Sequence, residues 1–538
     1  MLFSILRKEW IKLKLYLYLL LFLVTVLICY FAYNINYAFA TIEPESMLWY
    51  KFAQLQDKPY FTLNYWYLVL ATVLAFAQFL PKKVGSRIKI MAHLPLKMQD
   101  SLFLHLFIGA VFLTTLLTIL SLGTLLTLYF YYPLDIVFIG LKDTFAYSFA
   151  SIILYVGLCS IILEKDIKYL FLKSLLTLGF VILFIKQRYF LEDISWLILL
   201  LFMPFMALDS FYSFKEQRVK SFLYKAVLVT IIPTFIYLLY GNYKTNYAKS
   251  FTNYYIFYSN IINDFVYQKN FAGHRFEYGI KNKEVFDRKT YEAYLPFVYY
   301  KNLEIQNRLP IKIENTLFDK EIIKSSRLSF SYNPISLEPQ EVEIYPLLNP
   351  QKDKGVIKFS EEAFSIKSKK AVVYEFDNKI NRDLSNELTK KLTENAFSYP
   401  AINIWGKTTN MKPFDKGYLV QDSKKKLFNI KRADGIIEVT SIKYPKNISL
   451  AYIDISENRQ KNLSGYAIDT NNQFYLLNWD FKFIPIDTKE FNYKTMKLQL
   501  LSNPLNYQIR YNDGKNYFAV ALNSSYEVIK TIKIIKEK

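Results

Sequence analysis

The feature that most constrains this chain is a series of long apolar runs confined to its first 240 residues. They lie at 15–33, 61–80, 102–130, 144–163, 169–185, 194–208 and 226–240. A bilayer core about 30 Å thick takes about 20 apolar residues in a helix. Lipid offers the backbone no hydrogen-bond partner, so such runs are predicted to be helical. The expectation is a membrane all-α part of about seven transmembrane helices over 15–240. The first run is too long for a cleavable signal, and no small-residue cleavage site follows it. Residues 241–538 contain no run long enough to span.

Charge gives these spans a direction. With the N-terminus inside, segments 1–14, 81–101, 164–168 and 209–225 carry 15 Lys and Arg, against 5 in 34–60, 131–143 and 186–193. The positive-inside rule then places everything after 240 outside the cytoplasm. The expected location is a bacterial inner membrane, with a periplasmic C-terminal domain. Two runs are weaker, because 169–185 contains Lys173 and 194–208 is short and contains Pro204. Crossing by only one of them would put the domain in the cytoplasm. Lys173 lies near a cytoplasmic end, from which a lysine can snorkel to the interface.

The net charge of +21 divides into +8 up to residue 240 and +13 beyond it. The basic residues of the second part are scattered among acids, and Lys424-Lys425-Lys426 is short. This argues for a solvated face or attraction to lipid headgroups, not for nucleic acid. Cys29 and Cys159 fall inside apolar runs and are expected to pack within helices.

Two features of the first part carry more information than the number of spans. Residues 1–14, MLFSILRKEWIKLK, set Arg7, Lys8, Trp10 and Lys12 among apolar residues, as in a helix lying in the membrane interface. The bland alternative is that these charges only orient the first span. Residues 81–100, PKKVGSRIKIMAHLPLKMQD, are basic, hold Leu94-Pro95-Leu96 and lead into the third span. Together they resemble the permease half of type-2 ABC exporters, in which an elbow helix precedes the first span and a coupling helix lies between spans two and three. The resemblance covers about 240 residues. The acidic residue usual at the start of that loop is replaced by Lys82 and Lys83.

The resemblance implies an elbow at 1–14 and an ATPase-coupling loop at 86–98 that includes Arg87, Lys89, His93, Leu94, Pro95 and Leu96. It also implies a separate ABC ATPase chain and a second permease half, the same or different. A seventh span would carry the C-terminal domain outward. The chain supplies no ATPase of its own, because Gly406-Lys407-Thr408 lacks the glycine five residues earlier that a phosphate-cradling loop needs. Trp405-Gly406-Lys407 is read as a surface turn.

Beyond 240, residues 241–300 read as a polar, tyrosine-rich and partly helical lead-in, and 301–538 as a mainly-β domain. AVVYEF (371–376), GYLV (417–420), LAYIDI (450–455) and YFAVAL (517–522) are strand-like, and Asp434-Gly435 and Asp513-Gly514 are turn dipeptides. Leu384, Leu388, Leu392 and Phe397 predict an amphipathic helix over 381–397. A repeat begins at Asp422, Asp469 and Asp513, each opening a turn into an outgoing strand. Its spacing suits a propeller blade of about 40–50 residues. The stretches 295–310 and 399–431 are similar to a family of uncharacterised bacterial proteins that accompany ABC transporters, which implies context but no activity.

No catalytic constellation is predicted. His93, His105 and His274 are too dispersed for a shared metal site, and no cofactor is implied. Asp469, Asn471 and Asn472 could join a cation site or form a solvated turn. The leading expectation is a permease subunit that is not itself an enzyme. The alternative is a membrane-anchored periplasmic interaction or assembly protein.

Overall fold

The structure, a computed structural model, describes residues 2–41, 48–84, 87–88, 97–186 and 193–220, scattered helical positions from 225 to 243, then 253–271, 274–376, 379–445 and 447–536. The chain divides into two compact units, Met1–Ala248 and Lys249–Lys538.

The first unit is helical: α1 (Leu2–Thr41), α2 (Leu48–Leu55), α3 (Phe61–Val84), α4 (Met98–Tyr131), α5 (Leu134–Leu163), α6 (Ile167–Lys186) and α7 (Asp193–Tyr212). Among the described residues four helices, α1, α3, α4 and α5, are long and apolar enough to cross a membrane. The two weaker runs form α6 and α7, each of 20 residues, with Pro204 inside α7. The run 226–240 lies mostly outside the described residues.

Segment 1–14 is not a separate elbow. It continues into the first span as one helix of 40 residues, because no Gly or Pro interrupts it. The loop expected at 131–143 shrinks to Tyr132 and Pro133. Pro133 cannot extend α4 and caps α5, standing immediately before its first turn, where a missing N–H leaves no helical bond unmade.

One face of α1 is buried at Ile5, Glu9, Leu13, Leu17, Leu20 and Val24, at helical spacing. The other exposes Phe22, Tyr30 and Tyr33, and Cys29 is also exposed, contrary to expectation, while Cys159 is buried. Gly109 of α4 marks a close crossing, since an added Cβ would lie 1.8 Å from the Tyr155 hydroxyl.

The second unit is a series of antiparallel sheets joined by short helices. Strands β1 (Asn253–Ser259), β2 (Asp264–Asn270), β3 (Phe276–Ile280) and β4 (Glu284–Phe286) form a four-stranded meander. The lead-in, expected to be partly helical, thus opens as a sheet and continues in the short helices α8 (Arg288–Tyr294) and α9 (Tyr300–Ile305). A hairpin β5 (Ile311–Ile313) and β6 (Thr316–Phe318), helix α10 (Lys320–Ser325) and strand β7 (Ser329–Tyr332) come next. Strands β8 (Tyr345–Pro346), β9 (Glu362–Ile366) and β10 (Ala371–Glu375) form a three-stranded sheet beside α11 (Arg382–Glu394).

Three four-stranded meanders then follow in order: β11 (Ala401–Trp405) to β14 (Ile436–Ile442), β15 (Leu450–Ile455) to β18 (Phe483–Ile486), and β19 (Lys497–Ser502) to β22 (Val528–Ile535). Strand β7 joins the free edge of β19. Between these ends lie β12 (Tyr418–Asp422), β13 (Leu427–Ala433), β16 (Leu463–Asp469), β17 (Phe474–Asn478), β20 (Tyr507–Asn512) and β21 (Asn516–Leu522).

These sheets stack face to face, and side-chain alternation shows it. In β17, Phe474 and Leu476 enter a core shared with Leu498, Ile509 and Phe518, while Tyr475 and Leu477 enter one shared with Leu419 and Leu427. In β21, Tyr517, Ala519 and Ala521 turn toward Ile256 and Phe265 of the first meander. A strand buried on both faces reads as a continuous apolar run, which is why Phe474–Leu477 of β17 look so apolar in sequence.

The repeat maps onto the hairpin between the second and third strands of each meander. Asp422 Oδ1 accepts the Lys424 and Lys426 N–H groups at 2.9 and 2.7 Å. Asp469 Oδ1 accepts those of Asn471 and Gln473, both at 2.8 Å, and Asp513 Oδ1 those of Lys515 and Asn516 at 2.8 and 2.6 Å. Each aspartate thus replaces a missing ladder partner for its turn. Asp469 is a turn-former here, and Asn472 Oδ1 is taken by the Tyr493 N–H at 3.2 Å.

Candidate functional site

Helix α3 ends in Lys82 and Lys83, immediately before the basic loop. The two lysines point to different partners. Lys82 Nζ lies 3.2 Å from Glu9 Oε1, and both side chains are almost wholly buried. One turn earlier Gln78 donates to Glu9 Oε2 at 3.1 Å and to the His105 carbonyl at 2.8 Å, and accepts from the Tyr155 hydroxyl. Lys12 Nζ donates to the Gln78 carbonyl at 3.1 Å. His105 Nδ1 faces the Ser101 carbonyl at 2.7 Å and so carries a proton, since a carbonyl only accepts. Its Nε2 lies 3.6 Å from Glu9 Oε1. This cluster joins α1, α3, α4 and α5.

Lys83 donates instead to the Glu164 carbonyl at 3.0 Å, at the turn between α5 and α6. The Glu164 side chain anchors a second cluster. Lys173 Nζ is fully buried and donates to Glu164 Oε2 at 2.7 Å, Asp209 Oδ2 at 2.9 Å and Ser210 Oγ at 2.8 Å. Three protons meet three acceptors, as burial of an ammonium group requires. Arg218 grips Glu164 through both oxygens at 3.0 Å and reaches Asp209 Oδ2 at 3.1 Å. Its guanidinium also lies 4.0 Å over the Tyr169 ring. The segment after α7 is thereby tied to the α5–α6 turn. Lys173 does not snorkel: two carboxylates hold it inside the bundle.

Helix directions put both clusters at one end of the bundle, where α1, α4 and α6 begin and α3, α5 and α7 finish. At the other end Asp143 of α5 accepts from Lys58 Nζ at 2.8 Å and the Tyr60 hydroxyl at 2.7 Å. Buried ion pairs of this kind are costly to desolvate, and removing one member strands the other. They therefore act as clamps: displacing residues 82–83 must either break them or move the helices they hold.

Of the residues named from sequence, Arg87 is exposed in a short helical segment, whereas Lys89, His93, Leu94, Pro95 and Leu96 lie outside the described residues. Arg7, Lys8 and Trp10 are exposed on α1, and Trp10 meets Phe112 with ring centroids 6.0 Å apart. Sequence reasoning missed Glu9, Gln78, Glu164, Asp209 and Arg218. Glu9 left a legible signal, because Ile5, Glu9 and Leu13 fall on one stripe and a carboxylate there has to be paired.

In the β-rich unit, the loop between β11 and β12 is pinned by Lys412. Its Nζ meets Glu457 Oε1 at 2.7 Å, Asp415 Oδ1 at 2.8 Å and the Lys407 carbonyl at 3.0 Å. Trp405 is buried and Gly406 abuts the Tyr418 ring, so the expected surface turn is in fact packed against its sheet. Burial pushes Glu457 upward against the pull of Lys412. Lys416 lies 3.8 Å over the Trp479 ring, and burial pushes its pKa down to about 8.

Trp479 also borders a cleft of about 1140 Å³ whose rim carries Arg327, Arg459 and Lys461 with Asp480 and Tyr507. Among the described residues no group of three or more His, Cys, Asp or Glu side chains gathers as a metal site.

Residues 255–522 match the model of a family described as a domain of unknown function, DUF4857. No curated protein and no solved structure matches the chain.

Proposed function

We propose that this chain is the permease subunit of an ABC-type transporter in a bacterial inner membrane. A separate cytoplasmic ATPase drives it, and the β-rich unit faces the periplasm to engage substrate or a partner. The supporting observation is the double clamp at Lys82 and Lys83. The basic loop that would meet an ATPase starts from two lysines bound to different elements at one end of the bundle, Glu9 on α1 and the α5–α6 turn. A push on that loop would be shared among α1, α3, α4, α5 and, through Glu164, α6 and α7, a hinge or shear response powered from outside the chain. A second permease half, identical or different, would complete the path, with lipid around it.

The stacked four-stranded meanders support reading the β-rich unit as propeller-like. Its basic, aromatic-rimmed cleft is the surface on which engagement would take place. A second reading, a membrane-anchored assembly protein without transport, draws on the family match lying wholly within the β-rich unit.

The test is purification of the tagged protein from its native membrane in mild detergent, with mass spectrometry of what accompanies it. The permease reading expects a stoichiometric ABC ATPase, lost when Arg87→Glu, Lys89→Glu and Leu94→Asp are combined while membrane insertion persists. An ATPase retained by that variant, or a partner set without one, contradicts it.

A further inference from the structure

Along one stripe of α1 a basic end passes into an apolar track. Lys8 and Lys12 stand one turn apart, and Leu15, Leu19, Phe22 and Val26 continue the same stripe at spacings of three and four. The four apolar side chains are exposed, as is Lys8, while Lys12 is half-buried. The bundle packs against a different stripe, through Ile5, Glu9, Leu13 and Leu17. Cationic groups thus sit in line with an unpacked apolar surface on the same helix.

A third cation meets this end. Arg87 is exposed in the short helical segment after α3, which the buried Ile88 fixes to the bundle. Lys8 and Arg87 both lie within electrostatic reach of Lys12, whose Nζ is held by the Gln78 carbonyl at 3.1 Å. Among the described residues the one carboxylate that acts on Lys12 is Glu9, and Glu9 is buried and taken up by Lys82. The sequence offers no other: Glu9 is the only acidic residue before residue 43, and 81–99 contain none. Three like charges at a membrane surface, without a counter-ion from the chain, favour an anion from outside it.

We propose that this end of α1 binds an anionic phospholipid, its phosphate among Lys8, Lys12 and Arg87 and an acyl chain along Leu15, Leu19, Phe22 and Val26. Charge alone would suit a free phosphate equally well. The apolar track decides for the lipid: Leu15 to Val26 rises about 16 Å at about 1.5 Å per residue, close to one leaflet of a core about 30 Å thick. The site rests on membrane insertion of α1 and not on the proposed transport role, so it would serve equally in an anchored interaction protein.

The test is native mass spectrometry of the purified full-length protein in an uncharged detergent. The probes are dioleoyl phosphatidylglycerol, dioleoyl phosphatidylcholine, which has the same tails without net charge, and glycerol phosphate, which has the charge without tails. The first phosphatidylglycerol is expected to bind at least about tenfold more tightly than either comparator. Lys8→Gln and Arg87→Gln should each weaken it about fivefold, and together about twentyfold, with phosphatidylcholine binding and the melting temperature unchanged. Both side chains are exposed, so both variants are expected to fold. Lys165→Gln combined with Lys168→Gln, exposed at and just after the α5–α6 turn, should leave the first phosphatidylglycerol unaffected. Phosphatidylcholine binding as tightly as phosphatidylglycerol overturns the proposal, as does indifference to the Lys8 and Arg87 substitutions. Glycerol phosphate binding as tightly would make this a free-phosphate site, and an equal loss from the Lys165 and Lys168 pair would make the attraction diffuse; either result also overturns it.

Discussion

In the helical unit the deeply buried side chains include the charged Glu9, Glu164, Lys173 and Asp209 beside many apolar ones, whereas in the β-rich unit the stacked sheets bury apolar residues such as Phe474, Leu476, Ile468 and Leu500, and the buried charges sit at turns and loops, as Asp422 and the Lys412–Glu457 pair do. Both units bury much of their sequence, but different interactions determine which arrangement forms. Apolar residues on a membrane helix are as well placed against lipid as against another helix, so they specify little. Close crossings and polar contacts choose the partners instead. In the β-rich unit, water drives the sheets together. Strands such as β17 feed two cores at once, and the aspartates of the repeat are confined to turns. The helical unit is thus specified by a few buried charges and the β-rich unit by many apolar contacts.

The sharpest way to break this comparison is to remove one charge. Lys173→Met leaves Glu164 and Asp209 without their ammonium partner, and breaking a buried pair costs about 3–5 kcal/mol. Thermal unfolding in detergent should show this loss, while Lys165→Met, on an exposed neighbour, stays near wild type. Equal melting of the two variants would remove the charges from the account.

The matching test on the other unit pairs Phe474→Ala with Phe22→Ala. The first empties a position shared by two stacked sheets and should cost about 3–5 kcal/mol. The second trims a ring that is exposed on α1 and should change stability by less than about 0.5 kcal/mol in detergent.

Titration sharpens the contrast within the β-rich unit. Burial pushes Asp454 up to about 6, only partly offset by Lys407. Between pH ~4 and ~6 the folded protein then holds a proton that the unfolded chain releases, so stability falls as pH rises through that window. Asp454→Asn removes the penalty. It should stabilise by up to about 3 kcal/mol at pH 8 and by almost nothing at pH 4, as read from denaturant midpoints at the two pH values.

Smaller effects are expected where geometry alone is disturbed. Gly109→Ala drives a methyl group into the Tyr155–Gln78 hydrogen bond and should cost about 1–3 kcal/mol by thermal unfolding. Asp469→Ala deprives two turn N–H groups of their acceptor and should cost about 1 kcal/mol by the same measurement, with the fold retained.

What could be read in advance follows the same division. LAYIDI coincides with β15, and the helix expected at 381–397 is α11, capped by the Asn381 side chain on the Leu384 N–H. These signals are local, being alternation, a cap and a turn residue. The three aspartate turns were visible because each is specified within five residues. The sheet at 253–286 was hidden, since tyrosines, asparagines and lysines blur its alternation, and β4 is only three residues long. The charge clusters were hidden for a different reason. Lys173 and Asp209 lie 36 residues apart and Gln78 and Glu9 lie 69 apart, so each residue alone reads as a loop charge or a snorkelling side chain. Only the pairing reveals its role, and pairing belongs to tertiary structure.

The most direct measurement is a double-mutant cycle across the clamp at the base of the basic loop, using Glu9→Lys, Lys82→Glu and the charge-swapped pair, read by thermal unfolding of the purified protein. If buried charge specifies the helical unit, each single variant is strongly destabilised. The swapped pair then recovers a large part of the loss, with a coupling of at least about 1.5 kcal/mol. Simple additivity of the two single losses would contradict the account.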